Sequence, residues 1–231
     1  MKVKNIKQLN NNFYEIFFDN GNKYKIHEEL VLKYKLLVNN SILEEDLANI
    51  EKENAFYIIL DDIYKNLSKY SKTEYEIKQY ISTKTKDIDK IYEKIKHLID
   101  DKTYSKNYCL DKISFSNDGP NKIKQSLKYK HVDSNYIEEA LDNFSEKIEL
   151  EKIEKIVNYR MKLNKKSLLA FKKDSLAYLY NLGYNINKIN KVLNNIVFDD
   201  SELKRKEEEK LRRKYNDEYL IKRKLYEKGF R

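Results

Sequence analysis

A helical segment recurs four times along this chain at nearly constant spacing. Each copy ends on an apolar anchor residue, and successive anchors are separated by 46, 52 and 46 residues. The anchors are Ile81, Leu127, Leu179 and Leu225. A further amphipathic stretch precedes each copy, and a segment with apolar residues at i, i+4 and i+7, one helical face, follows the first three. This shared register predicts tandem three-helix units.

The scarcity of turn-forming residues supports the same interpretation. The 231 residues include only 4 Gly and 1 Pro, whereas sandwiches, barrels and nucleotide-binding α/β folds need these residues at many turns. Residues 13–18 (FYEIFF) and 23–27 (KYKIH) flank Asn20-Gly21, which predicts one β-hairpin closed by a type I′ turn. We therefore expect an all-α protein of tandem three-helix repeats in an elongated curved array, with a short N-terminal β-hairpin.

The repeats divide the chain into six predicted segments. An N-terminal β-hairpin region is followed by N-terminal helices, three three-helix repeats and a partial fourth repeat. In that order, the segments are residues 1–27, 28–52, 53–98, 99–145, 146–197 and 198–231.

The ends of the repeated helix carry a second expectation. Four residues after each anchor, the helix should end in a left-handed residue, a conformation that glycine favours. These positions are Thr85, His131, Gly183 and Gly229. Because the fourth repeat stops after two helices, its apolar face should be poorly covered. That face contains Tyr219, Leu220, Leu225 and Phe230.

No residue pattern indicates catalysis or metal binding. The single cysteine, Cys109, and the three histidines are too scattered for a zinc site. The sequence also lacks a glycine-rich phosphate-binding string and any clear nucleophile–base spacing. The adjacent carboxylates Asp100-Asp101 and Asp199-Asp200 stand where repeats begin, so we interpret them as helix caps. We expect no catalytic residue, no metal, no cofactor and no enzymatic activity.

The sequence also predicts the compartment. The N-terminal MKVKNIKQLN lacks the apolar core of a signal peptide, and the longest apolar run is far shorter than the ~20 residues that cross a bilayer. A lone cysteine cannot form an intramolecular disulfide, which favours a reducing interior. We therefore expect a cytoplasmic protein with no membrane partner.

The net charge of +9 is unevenly distributed. Residues 1–50 carry seven Lys and seven acidic residues, whereas residues 201–231 carry twelve Lys or Arg and seven acidic residues. In the repeated helix, Lys78, Lys124 and Lys222 occupy the same slot, which favours a basic stripe that meets phosphates or acidic patches. The candidate partner-binding or DNA-binding residues are Lys78, Lys122, Lys124, Lys128, Lys130, Arg205, Arg212, Arg213, Lys222, Arg223 and Lys224.

The positive charge also has two origins that need no partner, and both stay open. An AT-rich genome enriches a chain in Lys, Asn, Ile and Tyr without selection for binding. The basic positions also suit a solvated helix face, on which Glu207, Glu208 and Glu209 pair with Lys and Arg one turn away.

Local strings, taken in chain order, resemble the RecX family, the bacterial regulators of the RecA recombinase. YSKTEYEIKQYI (70–81) is similar to the first-repeat segment of the family, and HLIDDKTYSKNY (97–108) to its Gly-Tyr-Ile-Asp-Asp-x-x-Tyr junction. LYNLGYNINKINKVL (179–193) and KRKLYEKGF (222–230) resemble its later repeats. His97-Leu98 replaces the hallmark Gly-Tyr, and Thr85 and His131 stand where the family tends to have Gly.

The resemblance implies a non-enzymatic modulator that lies in the groove of the RecA–DNA filament. It would mostly inhibit ATP hydrolysis, filament growth and strand exchange, in homologous recombination, DNA repair and the SOS response. Family members also bind DNA directly, so single- and double-stranded DNA are further candidate partners, and we expect a monomer. Two alternatives stay open, namely a helical-repeat protein that acts by occupying DNA and a generic helical scaffold.

Overall fold

A computed structural model describes residues 1–10 and 12–231, which fall into two compact units, Met1–Ile99 and Asp100–Arg231. Among the described residues, the first unit contains three strands and four α-helices, and the second contains eight α-helices. The predicted class, helical repeats with a small N-terminal β element, is confirmed.

The first unit begins with the sheet and continues as helices. Its strands are β1 (Val3–Asn10), β2 (Phe13–Phe18) and β3 (Lys23–His27). Its helices are α1 (Glu28–Lys33), α2 (Glu44–Leu67), α3 (Glu74–Ser82) and α4 (Ile88–Ile95), with a short 3-10 helix at Lys96–Leu98.

The second unit contains the later repeats. The helices of its first two repeats are α5 (Asp101–Phe115), α6 (Pro120–Tyr129), α7 (Ser134–Leu141), α8 (Glu146–Lys162), α9 (Leu168–Asn181) and α10 (Ile186–Asn194). The last two helices are α11 (Ser201–Arg212) and α12 (Glu218–Glu227).

The N-terminal sheet is antiparallel, in the order β1-β2-β3. Strands β2 and β3 form the predicted hairpin, with Phe13 paired to His27. Strand β1 was not predicted. Its register shifts between Val3 and Asn5, so its apolar Val3 and Ile6 are three residues apart rather than two. A bulge thus removes the alternation by which a strand is recognised.

The hairpin turn is not of the predicted type. A type I′ turn needs positive φ at both central residues, but between Asp19 and Asn22 only Gly21 has one, at +86°. The Phe18 N–H donates to Asn22 O at 2.9 Å and the Gly21 N–H to Phe18 O at 3.2 Å. The loop therefore has three residues and closes on a left-handed glycine, a different hairpin class.

Helices α1 and α2 follow the sheet. Residues 34–43 are not helical, contrary to the continuous helical pattern expected from Glu28 onward, and Lys35 and Asn39 have positive φ. Helix α2 runs unbroken through the predicted boundary between residues 52 and 53. The six-segment division stays a prediction.

The four anchors are buried, and none is more than 5% exposed. Three of the four helices end as predicted, because His131, Gly183 and Gly229 have φ of 57°, 87° and 81°. After Gly183, for example, the Tyr184 N–H donates to Leu179 O at 3.2 Å, and Gly183 itself donates to Tyr180 O at 2.8 Å. This pair of bonds is the Schellman motif. The prediction is wrong at Thr85, which does not have positive φ.

Within the second unit, the end of one repeated helix lies against the start of the preceding one. The Gly119 N–H, at the start of α6, donates to Leu182 O at 2.7 Å, and the Asn121 N–H donates to Gly183 O at 3.0 Å. The Tyr184 hydroxyl donates to Asn117 O at 3.1 Å. We call this contact the repeat joint. A similar contact follows one repeat later, where Ser167 Oγ donates to the carbonyl of Lys228.

The fourth repeat is better covered than expected. Leu225 and Phe230 are only 5% and 6% exposed, so the expectation is wrong for them, whereas Tyr219 is 77% exposed. Leu203 and Leu211 of α11 pack against this cluster. Two helices and the adjacent repeat therefore suffice to bury the inner half of α12.

Candidate partner-binding surface

Three of the predicted cations lie on one helix. Helix α6 begins with Pro120 after Gly119, and its Ile123 and Leu127 point into the core. Lys122, Lys124 and Lys128 occupy its outer positions and line a groove of about 560 Å³, which we call the α6 groove. Gln125 and, from the end of α9, Tyr180 and Asn181 complete its lining.

Two of these lysines are already paired. Lys122 lies 2.7 Å from Asp118 and Lys124 contacts Glu138. Within the described chain, no carboxylate lies within 4 Å of the Lys128 amine. Burial raises the pKa of Asp118, but the bonds from Lys122 and Lys112 outweigh burial and hold the pKa below its usual value. Asp118 is therefore ionised at neutral pH, and Lys128 is the uncompensated charge of the groove.

The predicted cations at the C-terminal end are mostly paired within their own helices. Arg205 lies 3.9 Å from Glu209, Arg212 lies 2.6 Å from Glu208, and Arg223 lies 3.0 Å from Glu227. The expected i,i+4 pairing is therefore present. Arg212 also contacts Glu218 across the turn between α11 and α12. Its bond is the main cause that lowers the pKa of Glu218.

A second groove, of about 520 Å³, lies between α11 and α12. Arg213 and Lys224 line it, and the Lys224 amine lies 5.1 Å from the centre of the Tyr215 ring. The sequence did not point to Lys210 and Lys228, which also line it. Both contact Glu207, one from within α11 and the other from the end of α12, so their convergence depends on tertiary structure.

The remaining predicted cations lie outside both grooves. Lys78 is in the first unit, 2.5 Å from Glu74 and 4.2 Å from the centre of the Tyr92 ring. In the second unit, the Lys130 amine lies 5.5 Å from the centre of the Tyr104 ring. Lys222 is exposed on α12 and, among the residues described, has no carboxylate within 4 Å of its amine.

The shared slot of Lys78, Lys124 and Lys222 has a structural basis in the helices themselves. Each lysine follows a buried isoleucine, and none of these isoleucines is more than 2% exposed. The three are Ile77, Ile123 and Ile221. Whether these lysines and the other predicted cations bind a partner stays a prediction.

The carboxylate pairs cap helices, as predicted, although one does so for another helix. Asp100 accepts the N–H groups of Lys102 and Thr103 at 3.0 Å, and the bond from the Thr103 hydroxyl is the main cause that lowers its pKa. Asp200 instead accepts the Leu168 N–H at 2.7 Å, at the start of α9. This carboxylate therefore joins two repeats, a role that local sequence does not reveal.

Neither a metal-binding cluster nor a membrane-spanning helix is present in the described part of the chain. Across residues 1–10 and 12–231, no group of three or more His, Cys, Asp or Glu side chains is arranged to hold a metal ion. Over the same residues, no helix has the length and apolar character needed to cross a membrane.

Comparison with known proteins points to one family. Residues 100–141, which span α5 to α7, match the family model of the RecX second three-helix domain. Regulatory protein RecX of Oceanobacillus iheyensis is 26% identical over 242 residues, which cover 95% of this chain and 89% of that protein. Regulatory protein RecX of Clostridium botulinum (strain Eklund 17B / Type B) is 28% identical, over 69% of this chain and 76% of the relative.

The fold agrees with the sequence comparison. A crystal structure of regulatory protein RecX superposes with a TM-score of 0.65 at 20% identity, over 84% of this chain and 99% of that one. At this identity, the likeness shows a shared fold. The resemblance predicted from the local strings is thereby confirmed, and the chain is a RecX-like protein.

Proposed function

We propose that this protein is a RecX-like regulator that binds the RecA–DNA filament and mostly inhibits RecA ATPase, filament growth and strand exchange. The observation that carries the proposal is the match to regulatory protein RecX over 95% of the chain. The protein would work as a cytoplasmic monomer and act by binding alone, without catalysis.

The two grooves of the second unit suit such a partner. Lys128 contributes an uncompensated charge, and the pair between Lys124 and Glu138 is largely exposed. Exposed ion pairs contribute little free energy, so an acidic group of a partner can replace Glu138 at small cost. A filament repeats its surface, and contacts from two grooves of one unit to neighbouring protomers would add through avidity.

The proposal is tested by co-sedimentation with filaments of the cognate RecA on single-stranded DNA. We expect the protein to sediment with the filaments, and the double variant K124E/K128E to sediment several-fold less. The matched control is K147E/K173E, which reverses two exposed charges outside both grooves. Equal sedimentation of the two double variants would remove the α6 groove from the proposal, and absence of the wild type from the pellet would contradict the proposal itself.

Occupation of DNA is the second candidate function, and the same groove favours it. Lys122, Lys124 and Lys128 lie beside the exposed ring of Tyr180, and cations beside an aromatic ring suit single-stranded nucleic acid. Such binding depends on counterion release and weakens steeply with salt. Inhibition of RecA that persists at a salt concentration where free-DNA binding has vanished would exclude this mechanism. A generic scaffold would leave RecA unaffected in every buffer.

A further inference from the structure

A third groove, of about 580 Å³, lies between α8 and α9, and none of the predicted candidate residues lines it. Its floor is formed by Ile156 and Phe171, which are almost fully buried. Tyr159 and Leu163 stand above this floor and are 66% and 64% exposed. An apolar surface of this kind, open to water, is typical of a binding groove. We call it the α8–α9 groove.

Arg160 is held in place at the edge of this groove. Its guanidinium lies 4.3 Å from the centre of the Tyr178 ring, and its Nε donates to Ser175 Oγ at 3.4 Å. Ser175 is fully buried, so this bond fixes the side chain from within the repeat. Among the residues described, no carboxylate lies within 4 Å of the guanidinium. Its two terminal nitrogens therefore present the fork that binds a carboxylate with two bonds.

The rim of the α8–α9 groove carries more positive charge than negative. Lys155 and Lys165 line it, and neither has a carboxylate within 4 Å in the described part of the chain. Lys166 also lines it but is paired with Asp174. The one acidic residue among the described lining residues is thus already occupied, and three cations around an apolar floor stay uncompensated.

We propose that the α8–α9 groove binds an acidic segment of a partner protein. One carboxylate of that segment binds the Arg160 guanidinium, and a neighbouring large apolar side chain packs between Tyr159 and Leu163 onto the floor. Lys155 and Lys165 attract further carboxylates of the same segment and increase the association rate. This site is separate from the two basic grooves on which the proposed function rests.

Nucleic acid fits the α8–α9 groove less well. The face of Tyr178 is covered by Arg160, so it cannot stack on a base from that side. The rest of the apolar lining includes the aliphatic Ile156 and Leu163. Stacking platforms for single strands use exposed aromatic faces in succession, whereas an aliphatic floor with a fixed guanidinium suits a peptide side chain beside a carboxylate.

The test uses fluorescence anisotropy with the full chain. The probe is a fluorescein-labelled ten-residue peptide of Glu and Asp residues with one central Phe. The comparison probes are the same peptide with Ala for Phe, the same peptide with Gln and Asn for the acids, and labelled ten-residue oligo-dT. We expect the acidic Phe peptide to bind, and each comparison peptide to bind at least about tenfold more weakly.

Three variants locate the binding site. R160Q should weaken the acidic Phe peptide about tenfold, which is the contribution expected of one charge-assisted hydrogen-bonded pair. K165E changes only an exposed residue and should also weaken it, whereas the control K173E, an exposed lysine of α9 outside the groove, should not. Circular dichroism of R160Q verifies that the helices are retained, and K165E tests the site if R160Q unfolds.

Several outcomes would overturn the proposal. One is that the acidic Phe peptide does not bind, and another is that its binding is unchanged in K165E. A third is that oligo-dT, rather than the peptide, binds in a manner lost with R160Q and K165E, which would make the groove a nucleic-acid site. RecA co-sedimentation of R160Q is measured in parallel, so failure of this site is distinguishable from failure of the proposed function.

Discussion

Substitution of Gly183 by alanine tests whether the repeat joint holds the second unit together. Gly183 has φ of +87°, a left-handed conformation that costs an L-residue about 1–2 kcal/mol. An added Cβ would also lie 2.7 Å from Lys122 Cβ and closer still to the Lys122 nitrogen. Backbone cannot yield as a flexible side chain does, so α6 and the end of α9 must separate.

The size of the effect follows from the bonds across the joint. Separation weakens the bonds from Gly119 to Leu182 O and from Asn121 to Gly183 O, each worth about 0.5–1.5 kcal/mol net. With the backbone strain added, G183A should lose about 2–5 kcal/mol in its free energy of unfolding. The assay is urea unfolding followed by far-ultraviolet circular dichroism. Hydrogen exchange should show lost protection at the amides of Gly119 and Asn121.

Two glycines serve as controls, because each isolates one cause. Gly21 has φ of +86° and open space around it, so G21A should lose only about 1–2 kcal/mol. Gly119 has no positive φ, but an added Cβ would lie 2.7 Å from the Gly183 carbonyl carbon, so G119A reports the steric effect alone. The joint does not stabilise the unit if G183A costs no more than G21A, or if G119A leaves stability unchanged.

Three further predictions concern charge and burial in the second unit. D118N should destabilise the protein at neutral pH. Because the pKa of Asp118 is held below its usual 3.8, the difference from wild type should persist above about pH 4 and disappear as pH falls through the depressed pKa; acid titration showing a constant difference contradicts this. Cys109 is fully buried, and burial raises its pKa to about 11, so its thiol should not react with Ellman's reagent at pH 8 until the unit unfolds; fast reaction of native protein contradicts its burial. Glu149 is 2% exposed and accepts from Lys188 Nζ at 2.7 Å and from the Asn185 N–H at 3.1 Å, so E149Q should lose about 2 kcal/mol in urea unfolding, and an unchanged midpoint would show that the pair contributes nothing.

Local patterns in the sequence were sufficient for much of the fold. The anchors, the hairpin strands and the left-handed ends at Gly183 and Gly229 depend on residues within one or two helical turns. His131 shows that the position, rather than the glycine, defines the helix end, since it has φ of 57°. At Thr85, the same spacing predicted a left-handed residue that is absent, because α3 ends two residues earlier, at its cap Thr83.

Features that depend on distant residues were not predictable. Strand β1 is recognised only through its pairing with β2, and the repeat joint only once α6 and α9 meet. Among the candidate cations, the pairs one turn apart in α11 could be expected from spacing, but that of Lys124 with Glu138 could not. The α8–α9 groove was missed for the same reason, because Arg160 and Ser175 are fifteen residues apart.

Regulation of RecA through the filament, rather than through free DNA, is the core of the proposed function. It is tested most directly by RecA ATPase on single-stranded DNA with sub-stoichiometric protein, in a buffer whose salt abolishes binding of the protein to free DNA. We expect ATP turnover to fall well below that of RecA alone. Turnover that stays unchanged at every protein concentration would show that the protein does not act through the filament.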